Sequence, residues 1–330
     1  MAARPRAGRD RDEHHPVCPL CRGGATNWHA TARDVEYHTS DRGWDYFRCA
    51  SCQTVFLEDP PMHDLATIYP SNYYSYGNGA KGVVERIKAA LDRRSFRKLL
   101  ARVSGEQLSV LDVGGGTGSQ ASLLRDLDTR VCRTVVVDID PGAAEGARAD
   151  GHEFVLSRIE DHEANDGTFD IVLLFNVIEH VARPDEVLAR VRTMLSPRGV
   201  AVIQTPNVDA LDARLLRHRN WGGYHCPRHW VLFTAEGLER LVRSTGLSPD
   251  TMRFTQGAPF WTVSVLGWMA DHGLVRIDGT RPLPTHPMYG PLVGLFAAFD
   301  FVRRALGFRT SQIVVLVRRA AEADGSHHDG

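Results

Sequence analysis

Val110-Leu111-Asp112-Val113-Gly114-Gly115-Gly116-Thr117-Gly118 runs from an apolar strand into a glycine-rich turn, and Gln120 to Leu127 continues it with a helical pattern. Glycines at alternate positions, Gly114, Gly116 and Gly118, admit backbone dihedrals closed to other residues. They also remove the side chains that would hold a ligand off the main chain. The free N–H groups and positive dipole end of the helix that follows suit a carboxylate or a phosphate. This pattern predicts a cofactor loop.

Two ligands fit such a loop. From Gly116 onward, Gly116-Thr117-Gly118-Ser119-Gln120-Ala121 satisfies the loose dinucleotide fingerprint, which would make the chain a nicotinamide- or flavin-dependent oxidoreductase. Asp112 argues the other way, because an acid just ahead of the first glycine repels a pyrophosphate and suits an ammonium group. Asp-x-Gly-x-Gly-x-Gly after a first strand resembles the binding loop of class I S-adenosylmethionine methyltransferases, where the loop lies along the methionine part of the cofactor. The resemblance implies an α/β fold: a Rossmann-like, mostly parallel seven-stranded sheet with helices on both faces.

Downstream residues extend the pattern. A second strand, Arg133 to Val137, ends in Asp138, an acid about twenty residues past the loop and placed to accept the hydroxyls of an adenosine ribose. Asp140 before Pro141 reads as a helix N-cap. A third strand, Glu153 to Leu156, leads to Arg158-Ile159-Glu160, where the resemblance places adenine: Ile159 for packing and Glu160 for the exocyclic amine. Many members of that family carry an acid where Arg158 stands. Phe169 to Phe175 is an unbroken apolar run typical of a central parallel strand, and Asn176-Val177-Ile178-Glu179-His180 follows at its carboxyl end, where ligands of open α/β sheets sit.

Phe-Asp-x-Val, then Asn-x-x-Glu-His, Pro184-Asp185, Leu195-Ser196-Pro197-Arg198-Gly199 and the strand Val200 to Asn207 resemble the ubiquinone-methylase-like branch of that family. The likeness covers about Leu108 to Leu247 and returns at Gln312 to Val317. A second family signature, Pro-x-His then Phe-Thr, is met by Pro227-Arg228-His229 and Phe233-Thr234, inside an aromatic segment that begins at Trp221. The candidate catalytic residues are therefore His180, His225 and His229. His180 and His225 are the possible general bases, His225 being the freer to face a substrate; for His229, a buried, hydrogen-bonded structural role is the plainer reading. Asp112, Gly114, Gly116, Gly118, Asp138, Ile159, Glu160 and Asn176 are the candidate cofactor contacts.

Ahead of this domain, Cys18-Pro-Leu-Cys21 and Cys49-Ala-Ser-Cys52 form two Cys-x-x-Cys knuckles, the arrangement of a structural zinc ribbon with no open position for catalysis. Tyr69 to Gly77 is an aromatic connector that reads either as linker packing or as a lid. Lys81 to Val103 reads as a basic amphipathic helix, a solvated face more readily than a membrane contact.

The chain has 330 residues, is 43% hydrophobic and carries a net charge of −1. That suits one large soluble α/β domain with an accessory unit, and the charge balance points to no nucleic acid. Residues 1–15 mix arginines with acids and have no apolar core, so they do not read as a secretory signal. The runs Phe260 to Ala270 and Pro291 to Ala298 are too short to span a bilayer. A cytoplasmic location is the expectation.

The expected organisation is a disordered tail over 1–15, a zinc-ribbon module over 16–60, a linker and helix over 61–104, and a methyltransferase domain over 105–256 and 309–319. A helical cap over 257–308 interrupts that domain, and a second disordered tail covers 320–330. The expected function is direct in-line methyl transfer from S-adenosylmethionine to a small molecule, an O- or C-methylation of a sugar, glycan precursor or secondary metabolite. The oxidoreductase, and a non-catalytic scaffold that binds the cofactor, are the alternatives. Oligomeric state is not legible.

Overall fold

The computed structural model describes residues 14–70, 83–162 and 165–320. Most of both expected tails, the connector from Ser71 to Gly77, and Lys81 lie outside the described residues.

β1 (Thr26–Ala32), β2 (Trp44–Cys49) and β3 (Val55–Leu57) come first, then a short α1 (Leu65–Ile68) and a long α2 (Val83–Leu100). Next follow β4 (Leu108–Val113), α3 (Ser119–Leu127), β5 (Val131–Asp138), α4 (Ala144–Ala149), β6 (Glu153–Leu156), β7 (Phe169–Phe175), α5 (Pro184–Met194) and β8 (Leu195–Pro206). α6 (Leu211–Leu216), β9 (Val231–Leu232), α7 (Ala235–Ser244), β10 (Leu247–Thr255), α8 (Ala258–Asp271), α9 (Tyr289–Ala305) and β11 (Gln312–Arg319) complete the chain.

Seven strands form one sheet in the order β10-β11-β8-β7-β4-β5-β6. β4, β5, β6, β7 and β8 pair in parallel, and β11 runs antiparallel to both of its neighbours. The period of two along the strands sorts the core into two layers. Leu111, Val113, Val172, Leu174, Ala201 and Ile203 face α5 and α7, whereas Val110, Ile171, Leu173, Val200 and Val202 face α2 and α3. Both faces are covered, which is why β7 reads as an unbroken apolar run. Phe96, Leu99 and Leu100 of α2 belong to the second layer, so this helix is part of the sheet's packing and more than a linker.

Chain order reverses at β4, which lies between β5 and β7. Ligands of open α/β sheets bind at such a switch point. The reversal brings the glycine turn after β4, Asp138 at the end of β5 and Asn176 just after β7 to one edge.

The N-terminal strands do not stand apart. β1, β2 and β3 form an antiparallel sheet whose fourth strand is β9, from the segment after Trp221, with Val55 opposite Leu232 and Phe56 opposite Val231. The expected self-contained module is thus completed by the larger domain. α8 and α9, in the expected cap, pack against each other, with Trp261 stacked on Phe296 at 5.5 Å between ring centroids.

Candidate active site

Gly114, Gly116 and Gly118 all have positive φ, +64°, +56° and +82°. A Cβ on Gly114 would stand 2.8 Å from Val177 Cγ2, and one on Gly118 would stand 2.5 Å from the His152 ring; one on Gly116 would meet nothing within 4 Å. The turn is therefore closed on its protein side and open at Gly116. Its contact with Val177 sets it directly against the Asn176 to His180 segment.

Carboxylates hold the turn in shape. Asp138 Oδ2 accepts from Gly116 N at 2.8 Å and its Oδ1 accepts from Asp140 N at 2.9 Å, which ties the end of β5 to the loop. Burial raises its pKa. Asp112 lies beneath the loop: a Cβ on Gly115 would come within 2.5 Å of its carboxyl carbon, and the side chain is buried. Burial, with the nearby Asp138 charge, pushes Asp112 up to about 7. Its Oδ2 and Asn176 Oδ1 are buried atoms without a hydrogen-bond partner among the described residues. Asp140 caps the turn at Pro141 by accepting from Gly142 N at 2.8 Å, as the Asp-Pro pair predicts. Ile159 is buried, and Glu160 is taken up by Arg158 at 2.9 Å.

Beyond Val177 the three candidate histidines come together. Ring centroids are 4.6 Å apart for His180 and His229, 5.1 Å for His225 and His229, and 6.2 Å for His180 and His225. Each ring is held by a different partner. His180 Nδ1 lies 2.9 Å from Tyr69 Oη, His229 Nδ1 lies 2.8 Å from Gly223 O, and His225 Nδ1 lies 2.6 Å from Glu36 Oε1. A carbonyl only accepts, so His229 carries its proton on Nδ1 and presents Nε2 as an acceptor. That atom is 3.9 Å from Glu179 Oε1.

Burial, then the neighbouring His225, lowers His180 to about 3, and burial takes His229 well below its ordinary value. Both rings are neutral at physiological pH, because burial disfavours their protonated forms. Glu179 donates nothing as a carboxylate; burial pushes it up to about 8, so it is protonated near neutrality. Its Oε2 meets the Thr205 hydroxyl at 2.9 Å.

His225, expected to be the freer of the three to face a substrate, is already held by the protein. It is buried at a left-handed φ of +37° and engaged by Glu36. The segment around it is clamped by Arg228, itself fully buried, which donates to Ile68 O at 2.6 Å, Cys226 O at 3.1 Å and Asp34 Oδ2 at 3.0 Å. Burial raises the pKa of Asp34, but Arg228 and hydrogen bonds from Thr39 and Tyr37 outweigh it and bring it down to about 2. Tyr46 Oη in β2 donates to His229 O at 3.1 Å. The N-terminal segment thus supplies Asp34, Glu36 and Tyr46 to this pocket. Local sequence patterns singled out none of the three, because each meets its partner across more than 180 positions.

Beside the N-terminal sheet, Cys18 and Cys21 from the segment before β1, Cys49 at the end of β2 and Cys52 in the turn that follows bring their sulfur atoms within 4.8 Å of one another as free cysteines. Cys18 and Cys52 Sγ are 3.6 Å apart, and Cys21 and Cys49 Sγ 3.4 Å. Four thiolates at about 2.3 Å from one tetrahedral zinc stand about 3.8 Å apart, close to this spacing. Among the described residues no helix is long and apolar enough to cross a membrane.

Residues 85–251 match the family described as "Methyltransferase domain". The chain is 36% identical over 201 residues to an uncharacterized methyltransferase of Mycolicibacterium gilvum, an overlap of 54% of this chain and 73% of that one. It is 31% identical over 179 residues to a ubiquinone biosynthesis O-methyltransferase of Cereibacter sphaeroides, covering 51% and 69%. It is 25% identical over 218 residues to the tRNA 5-carboxymethoxyuridine methyltransferase of Escherichia coli, covering 64% and 77%. The family match takes in half of the 330 residues, running through the open glycine turn and the histidine-bearing end of β7, and so this chain belongs to the methyltransferases that use S-adenosylmethionine.

Proposed function

We propose that this enzyme methylates a small molecule, a sugar, glycan precursor or secondary metabolite, at oxygen or carbon, in the manner of the ubiquinone-methylase branch it resembles. One observation carries the reading: three histidine rings stand together just beyond Val177, the residue that closes on the glycine turn. An alcohol, phenol or activated carbon acid must lose a proton as it attacks, and an imidazole nitrogen facing the acceptor is the group in this corner suited to receive it.

S-adenosylmethionine, when bound, supplies an electrophilic methyl group on sulfur. The open space at Gly116, with the partnerless Asp112 Oδ2 and Asn176 Oδ1 in the same corner, fits its methionine part. Gly114 and Gly118 shape that cradle, Asp138 takes the ribose hydroxyls with its remaining lone pairs, and Ile159 and Glu160 border the adenine. His180 and His225 are the bases in this reading. Glu36 fixes the tautomer of His225, Tyr69 orients His180, and His229 holds its loop in place. Rate then comes from collinear placement of acceptor, methyl and sulfur in a pocket cleared of water. Cys18, Cys21, Cys49 and Cys52 hold a structural zinc that stabilises the strands around β9; zinc content by elemental analysis checks it, with one metal per chain expected and none in Cys49→Ser.

The E. coli relative gives an RNA acceptor its standing as a second reading. Incubating the purified chain with methyl-labelled S-adenosylmethionine and an extract of its producing cell, then separating small molecules from RNA, distinguishes the two. Label in the small-molecule fraction is expected. Label confined to RNA would overturn the proposal.

A further inference from the structure

The cap reaches both segments that carry the Glu36–His225 pair. Ser264, Gly267 and Asp271 form one stripe of α8 at helical spacing. Ser264 Oγ accepts from Gly222 N at 2.8 Å and donates to Phe260 O at 2.7 Å. A Cβ on Gly222 would stand 2.5 Å from that same Phe260 O, so the segment leading to His225 lies directly on the helix backbone. One turn further, a Cβ on Gly267 would stand 3.3 Å from Cγ2 of Val35, the residue before Glu36. Asp271 Oδ1 then accepts from Arg33 Nη2 at 3.0 Å. Val35 packs in a small apolar cluster with Val263, Leu266 and Leu283, and Leu283 N donates to Glu36 O at 3.0 Å. Glycine inside a helix is less favourable than alanine, and Gly267 has no positive φ to call for it. Its missing side chain is the room that Val35 occupies.

We propose that this stripe of α8 is the positioning surface of the pocket: it sets the loop bearing His225 and the segment bearing Glu36 at the separation their 2.6 Å hydrogen bond requires. Arg228 ties the same two segments together through Asp34, whereas α8 is the rigid body on which both rest. Asp34 winds the Glu36 segment by accepting from the N–H groups of Glu36, Tyr37 and Thr39. That fixes the segment's shape and leaves its placement to outside contacts. Hydrogen bonds weaken steeply as they lose alignment, so a small shift of Val35 is felt at His225. Gly267 and Ser264 act through Val35 and Gly222, and their effect on rate rests on the reading of His225 as a base.

A carboxylate only accepts, so His225 donates from Nδ1, and the proton of a short, buried imidazole hydrogen bond resonates far downfield in the NMR spectrum. The full-length chain, isotope-labelled at its histidine nitrogens, should show this resonance, and Glu36→Gln should remove it, which identifies it. Gly267→Ala should move it upfield with the melting temperature held or raised, because alanine favours the helix. Adding Val35→Ala should return it toward its wild-type position, since the new methyl group then has room. A resonance unmoved in Gly267→Ala would overturn the proposal, as would one that Val35→Ala does not return, or its absence from the wild type. With the acceptor found in labelled extract, Gly267→Ala should also lower kcat roughly tenfold at unchanged KM for S-adenosylmethionine. A moved resonance with kcat unaltered would overturn His225 as the base and leave its placement by α8 standing.

Discussion

In the glycine turn the contacts that shape the site come from within the one parallel sheet and its helices: Asp138 reaches Gly116 across 22 positions, and the closing neighbours, His152 and Val177, follow after β5 and β7. In the histidine pocket the partners come from far away. Glu36 meets His225 across 189 positions, Asp34 meets Arg228 across 194, and Tyr69 meets His180 across 111. The first half is backbone geometry set by one strand-turn-helix unit and closed by the neighbouring strands of the same sheet. The second is an agreement between two sheets, and it exists only while β9 stays paired with β3. Cofactor binding and acceptor chemistry should therefore fail separately.

The largest test of that separation is Arg228→Met. It leaves Asp34 ionised and buried without its counter-charge, at a cost of about 3–5 kcal/mol, a large share of a domain's stability. Chemical denaturation should show it, while S-adenosylmethionine affinity measured well below the transition stays close to wild type. Loss of cofactor affinity in a folded Arg228→Met would break the comparison.

Gly116→Leu should do the reverse. Its Cβ meets open space, so the fold bears only the left-handed strain of about 1–2 kcal/mol. The side chain then fills the ligand's room, and titration calorimetry should show affinity down by roughly 100-fold.

Glu36→Gln sharpens the comparison further. It keeps the shape and removes the charge that holds His225. Methyl transfer to the acceptor found in labelled extract should fall roughly 10- to 100-fold in kcat, with KM for S-adenosylmethionine unchanged. An unaltered kcat would remove His225 from the chemistry.

The last effect is one of pH. Glu179, pushed by burial from 4.5 to about 8, keeps its proton in the folded chain over a range in which the unfolded chain has released it. The folded state binds more protons there, so stability falls as pH rises from about 4.5 to about 8. Glu179→Gln, which cannot ionise, should flatten that fall in a series of thermal melts. Asp34 acts at the other end: with its pKa lowered to about 2, its contribution is present above the ordinary 3.8 and is lost as pH falls through about 2.

What was legible in advance follows the same division. Gly114, Gly116 and Gly118 announce themselves because no other residue takes those dihedrals so readily, and Asp138 because a fixed strand-helix-strand length places it. β7 is legible because a strand covered on both faces must be apolar throughout. The Cys-x-x-Cys pairs are visible for the same reason, since their chemistry lies in the spacing. The aromatic segment from Trp221 suggested a substrate-facing His225, but which way a loop histidine turns depends on what packs over it.

The sequence by itself determined the cofactor turn, the central strand β7 and the meeting of Asn176 to His180 with that turn, since each rests on local periodicity or on position at a strand's end, while the seven-stranded sheet followed from the family resemblance those motifs carry. Only the tertiary structure decided that β9 belongs to the N-terminal sheet, that Glu36 rather than solvent faces His225, and that α8 backs the segments carrying both. These are contacts between segments far apart in the chain, where the energy resides in burial and complementary charge, and neither leaves a period to read.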